Sequence, residues 1–237
     1  MRTVAVVLAA GSGSRFGSAS PKQLRLLGER NLIEHCALAF EHASGIDEVL
    51  IVTAADIREQ VSHALTGFRK IADVIVGGAS RTDSTKRALA WLADRVPDDT
   101  KVLFHDAARP LVDQRIIADC IAALDRWQAI GVVVPSSDTI VEVSEGTIQR
   151  VLPRQSLARC QTPQGFRLSV ISKAYQLADA DPDFAATTST DDCGVVLRYL
   201  PEVTIGVVVG SERNLKITYA DDLAIAHALI GPGSQPD

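Results

Sequence analysis

Apolar residues gather along the chain in short, nearly unbroken runs, at 4–8, 49–52, 74–76, 102–104, 131–134 and 203–209. A strand with one wet face alternates apolar and polar positions. Runs without alternation fit strands buried on both faces of a parallel sheet. Between the runs the spacing becomes helical. Asn31 is placed to cap a helix with Leu32, Cys36 and Phe40 on one side and Glu34 in its first turn. Asp56 is placed to cap a second, with Ile57, Val61 and Leu65 turned inward and Glu59 at the third position. Leu89, Leu92 and Val96 mark a third helix, and Asp113 followed by Ile116, Ile117 and Cys120 a fourth. Alternating strands and helices predict an α/β sandwich with crossover connections.

One stretch departs from this rhythm. Residues 138–154 read as two short strands around Ser144-Glu145-Gly146-Thr147, a hairpin rather than a crossover unit. A two-stranded hairpin is barely stable alone, so it either lies on the parent sheet or pairs with another subunit. The glycine- and proline-containing tail, 231–237, is expected to be disordered. Together these readings predict a single domain over 1–230 with an arm at about 137–156.

Composition narrows the partners. A net charge of −5 does not suit the basic face that nucleic-acid binding requires. It leaves room for small phosphorylated ligands, which a few local cations and a metal ion can hold. The four cysteines are widely scattered, without a C-x-x-C pair, and read as reduced core residues. The apolar start is too short for a secretory signal, and nowhere do about 18 apolar residues run together. The expectation is a cytoplasmic protein without a membrane span.

Straight after the first apolar run comes "LAAGSGSRFG", then "PKQ" at 21–23. The spacing excludes two familiar glycine loops. No Lys-Ser or Lys-Thr follows the glycines, as a P-loop requires, and Phe16 stands where a dinucleotide fingerprint needs its third glycine. What remains is a run of backbone N–H groups with two cations, Arg15 and Lys22. Small residues let a polyphosphate approach the backbone closely, and cations suit charge growing on a phosphoryl group. The plainer alternative is a glycine turn with two solvated cations. A second element favours chemistry: "VLFHDAARP" ends an apolar strand on Asp106 and then supplies Arg109. In an open parallel sheet ligands sit beyond the carboxyl ends of the strands, so Asp106 and the glycine loop would share one edge. A carboxylate beside a polyphosphate suits Mg²⁺. The alternative for Asp106 is a turn cap before Pro110, and His105 reads as structural.

The segments "LAAGSGSRFG", "PKQ", "GGASRTDS", "HDAARP", "DTI", "QTPQGF" and "NLKIT" with "DDL" occur in this order from residue 4 to about 229. Together they resemble the 2-C-methyl-D-erythritol 4-phosphate cytidylyltransferases of nonmevalonate isoprenoid synthesis. The resemblance implies a Rossmann-like nucleotidyltransferase sandwich, with a mostly parallel central sheet and a protruding β-hairpin dimerisation arm. It implies cytidylyl transfer from CTP to 2-C-methyl-D-erythritol 4-phosphate, with release of pyrophosphate, and Mg²⁺ or another divalent cation as cofactor. Arg15, Lys22 and Lys216 would then be catalytic. Ala9, Ala10, Gly11, Ser12, Gly13, Gly78, Ser84 and Asp106 would bind CTP, with Asp106 also near the metal. Arg109, Thr139, Arg154 and Thr162 would hold the second substrate, and Thr139 and Arg154, beside the hairpin, would reach the site of the other subunit of a homodimer. The implied partners are these small molecules and a second copy of the chain, with neither nucleic acid nor membrane.

Two positions depart from the family pattern: Leu197, where an acidic residue is expected after "TDD", and Tyr219-Ala220 after "NLKIT". Both fall in segments that read as structural. A fused cyclodiphosphate synthase domain, present in some relatives, is not expected. The nearest rival is a ribitol 5-phosphate cytidylyltransferase, which more often carries "LAGG" and "HDAVRP" where this chain has "LAAG" and "HDAARP". A non-catalytic nucleotide-binding member of the fold would be expected to lose one of the cations Arg15, Lys22 or Lys216, and all are present.

Overall fold

The computed structural model describes residues 1–11, 21–184 and 191–231. Ser12, Gly13, Arg15 and nearly all of the tail therefore lie outside the described residues. Seven strands make the central sheet: β1 Thr3–Ala9, β4 Glu48–Thr53, β5 Ile71–Val76, β6 Lys101–Asp106, β7 Ala129–Pro135, β10 Ala158–Arg167 and β11 Ile205–Val209, in the order β11-β7-β10-β6-β1-β4-β5. β2 Leu26–Leu27 with β3 Arg30–Asn31, and β8 Val141–Ser144 with β9 Thr147–Val151, form two small separate hairpins. The helices are α1 Leu32–His42, α2 Arg58–Ala64, α3 Arg81–Ala93, α4 Gln114–Ala123, α5 Leu168–Ala180, α6 Asp192–Tyr199 and α7 Ala220–Ile230.

The unbroken apolar runs have the expected cause. In β1, Ala5, Val7 and Ala9 pack with α1, α2 and α4 residues such as Phe40, Val61 and Ile117. Val4, Val6 and Leu8 point to the opposite face, into the core with Leu89, Leu92 and Ile171. Side chains of a strand alternate between faces, so only an all-apolar strand can bury both. Phe104 of β6 is fully buried, its ring 6.2 Å from that of Phe166.

Of the two caps expected from the sequence, Asn31 heads its helix and Asp56 does not. The Asn31 backbone N–H donates to Glu34 at the head of α1, and the Asp113 carboxylate accepts from the Ile116 N–H at the head of α4. Asp56 does not cap α2. It sits inside a 3₁₀ turn, Ala55–Ile57, and the helix begins only at Arg58. The last strand also starts at Ile205, because Leu200 to Val203 close a turn.

β10 is the strand that the apolar pattern conceals. It is ten residues long, central in the sheet and antiparallel to both neighbours, yet it carries two Arg, two Gln, Thr and Pro. A proline in a central strand removes a ladder donor. The pairing with β7 shifts register between Gln161 and Gln164, so Pro163 falls in the irregular step. The hairpin β8-β9 turns at Glu145 (φ 50°) and Gly146 (φ 76°), the positive-φ pair of a tight hairpin turn. It stands apart from the large sheet and leaves Val143, Ile148 and Val151 exposed. Among the described residues, no helix is long and apolar enough to cross a membrane.

Replacing Phe104 by Ala is expected to lower unfolding stability by about 3–5 kcal/mol, because it opens a cavity beside the Phe166 ring. Chemical denaturation of the purified variant measures this directly.

Candidate active site

The sheet order reverses beside β1. From β1 the chain proceeds outward to β4 and β5, then returns to place β6 on the opposite side of β1. That switch point opens a crevice at the carboxyl ends of the strands. Register puts Leu8 of β1 opposite Asp106 of β6, so the glycine loop and the carboxylate leave the sheet side by side. A cleft of about 320 Å³ lies there. Its floor is Leu8 to Gly11, and its walls are Lys22-Gln23, Ala79 to Arg81 with Ser84, Asp106 to Ala108, and Lys216 with Thr218.

The start of the loop is held by a side chain that the sequence reading did not single out. Gln23 is buried, and its Nε2 donates to the carbonyls of Ala9 and Gly11, each at 2.6 Å. Neighbouring Lys22 donates from Nζ to the Ile217 carbonyl at 2.8 Å, so it comes beside Lys216 across the cleft. The opposite wall explains "GGASRTDS". A Cβ on Gly77 would lie 2.5 Å from Ala10 Cβ and 2.7 Å from Ser84 Oγ, so only glycine lets this wall approach the loop so closely. Ser80 caps α3 by accepting from the Asp83 N–H, and Ser84 Oγ accepts from the Gly78 N–H while donating to the Ser80 carbonyl. Gly78 and Ser84 are thus built into the turn that presents the amino end of α3 to the cleft.

Asp106 is the acidic residue among the described lining residues. Lys216 Nζ reaches its Oδ2 at 2.7 Å, and Arg81 Nε reaches its Oδ1 at 3.2 Å. Burial alone would raise its pKa, but the charges of Arg81 and then Lys216 outweigh burial and hold the carboxyl far below the usual range. Its backbone N–H donates to Thr162 Oγ1 at 3.0 Å, and that hydroxyl also meets His105 Nδ1 at 3.1 Å. His105 is wholly buried against Phe40, as its structural reading anticipates.

The structure therefore brings Ala9, Ala10, Gly11, Lys22, Ser84, Asp106 and Lys216 together in one lining, with Gly78 in the turn beside it. Arg109 and Thr162 stand behind it. The Arg109 guanidinium is buried and donates to the carbonyls of Asn214 and Cys160, at 2.8 and 3.2 Å. Thr139 and Arg154 are exposed at the base of the arm, where Arg154 donates to the Ser137 carbonyl at 3.0 Å. They do not enter this chain's cleft. Arg81 and Asp192 are the other residues the sequence reading left without a role. Arg81 Nη1 lies 2.8 Å from Asp192 Oδ2, so one guanidinium spans both carboxylates.

Among the described residues there is no group of three His, Cys, Asp or Glu side chains poised on a metal. A single ionised carboxylate does suit Mg²⁺ when ligand phosphates supply the other oxygens. Asp106 is kept ionised and faces the cleft, so the donor set fits that use.

Fold and cleft together define an α/β protein with a cation-lined crevice at the switch point of its sheet. Residues 3–231 match the family model for 2-C-methyl-D-erythritol 4-phosphate cytidylyltransferase (IspD). A protein of that name from Thermobifida fusca is 46% identical over 239 residues, covering 98% of this chain and 94% of its own length. A bifunctional ribulose 5-phosphate reductase/CDP-ribitol pyrophosphorylase of Haemophilus influenzae is 38% identical over 97% of this chain, which spans 48% of that protein. The crystal structure of 4-diphosphocytidyl-2C-methyl-D-erythritol synthase from Anaerococcus prevotii superposes with a TM-score of 0.82, covering 98% of this chain and 99% of that one, at 24% identity. The chain belongs to the 2-C-methyl-D-erythritol 4-phosphate cytidylyltransferase family. It is a cytidylyltransferase.

Burial pushes the His105 imidazole down to about 4 from its ordinary 6.5. As pH falls through that window the unfolded chain takes up a proton that the folded chain refuses. Folding stability of the ligand-free protein should therefore fall by about 3 kcal/mol between these pH values. Urea unfolding across the window is expected to show the slope in the wild type and a flatter one in His105→Asn.

Proposed function

We propose that this chain joins CTP to 2-C-methyl-D-erythritol 4-phosphate, releasing pyrophosphate, in isoprenoid precursor synthesis. The observation that carries the reading is the convergence of the loop exit, Lys22, Lys216, Arg81 and Asp106 on one cleft. The substrate's phosphate oxygen attacks the α-phosphorus of CTP and pyrophosphate departs. The attacking group is already a nucleophile, so catalysis reduces to alignment and neutralisation of charge.

Backbone N–H groups from Ala9 to Gly13 cradle the CTP phosphates. Gly78 and Ser84 shape the nucleoside side. Arg15, Lys22 and Lys216 stabilise the charge gathering around the α-phosphorus. Asp106 would hold Mg²⁺ or another divalent cation, which when bound would neutralise phosphate charge. Arg109 and Thr162 serve the second substrate from behind Asp106, and Thr139 and Arg154 reach it from the arm of a partner subunit. Support for the homodimer comes from the hairpin: it stands off the sheet with Val143, Ile148 and Val151 exposed, and so needs a partner's surface to cover it. The four cysteines are unpaired, three in the core as expected and Cys160 exposed instead, and free thiols suit the reducing cytoplasm.

The Haemophilus relative named for CDP-ribitol favours a second reading, in which ribitol 5-phosphate is the acceptor. Pyrophosphate release, measured with both polyol phosphates in parallel, separates the two. Faster turnover of the methylerythritol substrate is expected, and a preference for ribitol phosphate would reassign the acceptor. Silence with both would overturn both acceptors.

Lys22→Ala should lower kcat by about 10²–10³-fold. When subunits are allowed to exchange, Lys22→Ala and Arg154→Ala chains mixed together should recover activity through hybrid dimers. No recovery would sink the shared site. Ile148→Asp, which charges the exposed face of the arm, should shift the sedimentation coefficient from dimer towards monomer.

A further inference from the structure

Asp192 lies outside the cleft lining, yet it is ion-paired with Arg81, a cation of that lining. Its side chain has no solvent exposure. Oδ1 accepts from the Tyr175 hydroxyl at 2.7 Å and from Thr85 Oγ1 at 3.1 Å. The Asp192 backbone N–H donates to Gln164 Oε1 at 3.1 Å. Residues of α3, α5 and β10 thus fix this carboxylate at the head of α6. Its other oxygen, Oδ2, lies 2.8 Å from Arg81 Nη1, while Arg81 Nε reaches forward to Asp106.

Arg81 needs that rear partner. It is the first residue of α3, where the helix dipole disfavours a positive charge. It is largely buried, and burial works against its charge. The carboxylates of Asp192 and then Asp106 more than offset this and keep the guanidinium charged. Two carboxylates, Arg81 and Lys216 form a balanced set. Without Asp192, Arg81 would have Asp106 as its remaining carboxylate partner and would turn towards it, competing with Lys216 and with any cation that comes with the nucleotide.

We propose that Asp192 is a positioning residue for the nucleotidyl-transfer site: it holds Arg81 from behind, and so fixes how that guanidinium meets Asp106. The proposal rests on the cytidylyltransferase reading above. Asp192 touches neither substrate nor the reacting atoms, so its action passes through Arg81.

The test is a double-mutant cycle of Asp192→Asn and Arg81→Gln, read in kcat/KM for pyrophosphate release and in denaturant stability. Asn retains the shape and an oxygen acceptor for Tyr175 and Thr85, and removes the charge. Asp192→Asn is expected to lower kcat/KM by about 10- to 100-fold. In the Arg81→Gln background the same change is expected to add less than about twofold, because residues that act as a unit are not additive. A merely structural Asp192 would lower stability and multiply its full effect onto Arg81→Gln; that result, or wild-type kinetics in Asp192→Asn, overturns the proposal.

A second readout needs no turnover. In the ligand-free protein, the Arg81 Nε–H resonance, assigned by its absence in Arg81→Gln, should move and exchange faster in Asp192→Asn. An unchanged resonance counts against the proposal. Inactivity of the wild type with both polyol phosphates would count against the functional reading alone, and this resonance would still decide the role of Asp192. Should Asp192→Asn not fold, Tyr175→Phe replaces it in both measurements, because it frees one of the two hydrogen bonds on the same oxygen. The expected shifts are the same in sign, and their absence overturns the proposal equally.

Discussion

A carboxylate buried at the end of β6 can stay ionised only if cations surround it, and the site of this protein is assembled around that requirement. Asp106 is set in place by the β1-β6 register and by its backbone bond to Thr162. Its charge then recruits Lys216 from the segment after β11 and Arg81 from the head of α3. Arg81 cannot serve unaided, since a cation at a helix amino terminus opposes the dipole, and Asp192 restores the balance. Removing one member strands its partner's charge in a poorly solvated place, which costs more than the interaction itself contributes. Elements separated by more than a hundred residues are thus tied at one point, beside the cleft that uses them.

The sheet makes this arrangement possible by reversing its order beside β1. Two parallel strand ends stand next to each other there without a helix crossing between them. Small residues then keep the gap narrow. Gly77 passes against Ala10 where a Cβ would collide, and Gln23 draws the carbonyls of Ala9 and Gly11 into one direction. The antiparallel β10 runs along the rear of the crevice. Its polar side chains are those that the rear needs: Thr162 supports Asp106, Gln161 accepts from Asn214, and Gln164 accepts from Asp192.

The same facts explain what was legible in the sequence. Strands such as β1 and β4 announce themselves because both of their faces are apolar. β10 hides because its interior positions satisfy polar groups instead of oil, and a proline at a register shift removes the remaining pattern. The Asp113 cap is readable because its bond is three residues long, whereas Asp56 was taken into a 3₁₀ turn that no local signal marks. In the cleft, the glycines, Lys22, Asp106 and Lys216 carry recognisable motifs. Arg81 and Asp192 carry no such signal, because an ion pair between residues 81 and 192 leaves no trace in either neighbourhood. Gln23 is similar: a buried amide reads as an ordinary polar residue until its two carbonyl partners are seen.

Net charge misleads about such a site unless distance is considered. The chain carries five more acidic than basic residues, yet the described lining of the cleft holds Lys22, Arg81 and Lys216 against Asp106. Charges separated by more than about 10 Å across solvent are largely screened at ordinary ionic strength, whereas those within a few ångströms in a walled crevice are not. A polyphosphate in the crevice therefore meets the local excess of cations, not the acidity of the whole. The carboxylate adds to this effect as well as subtracting from it. By holding Lys216 and Arg81 in place before a ligand arrives, Asp106 spares the site the cost of ordering two long side chains during binding. An acidic protein can in this way bind an anion, and the acid that makes the field less positive is the group that keeps the cations where the reaction needs them.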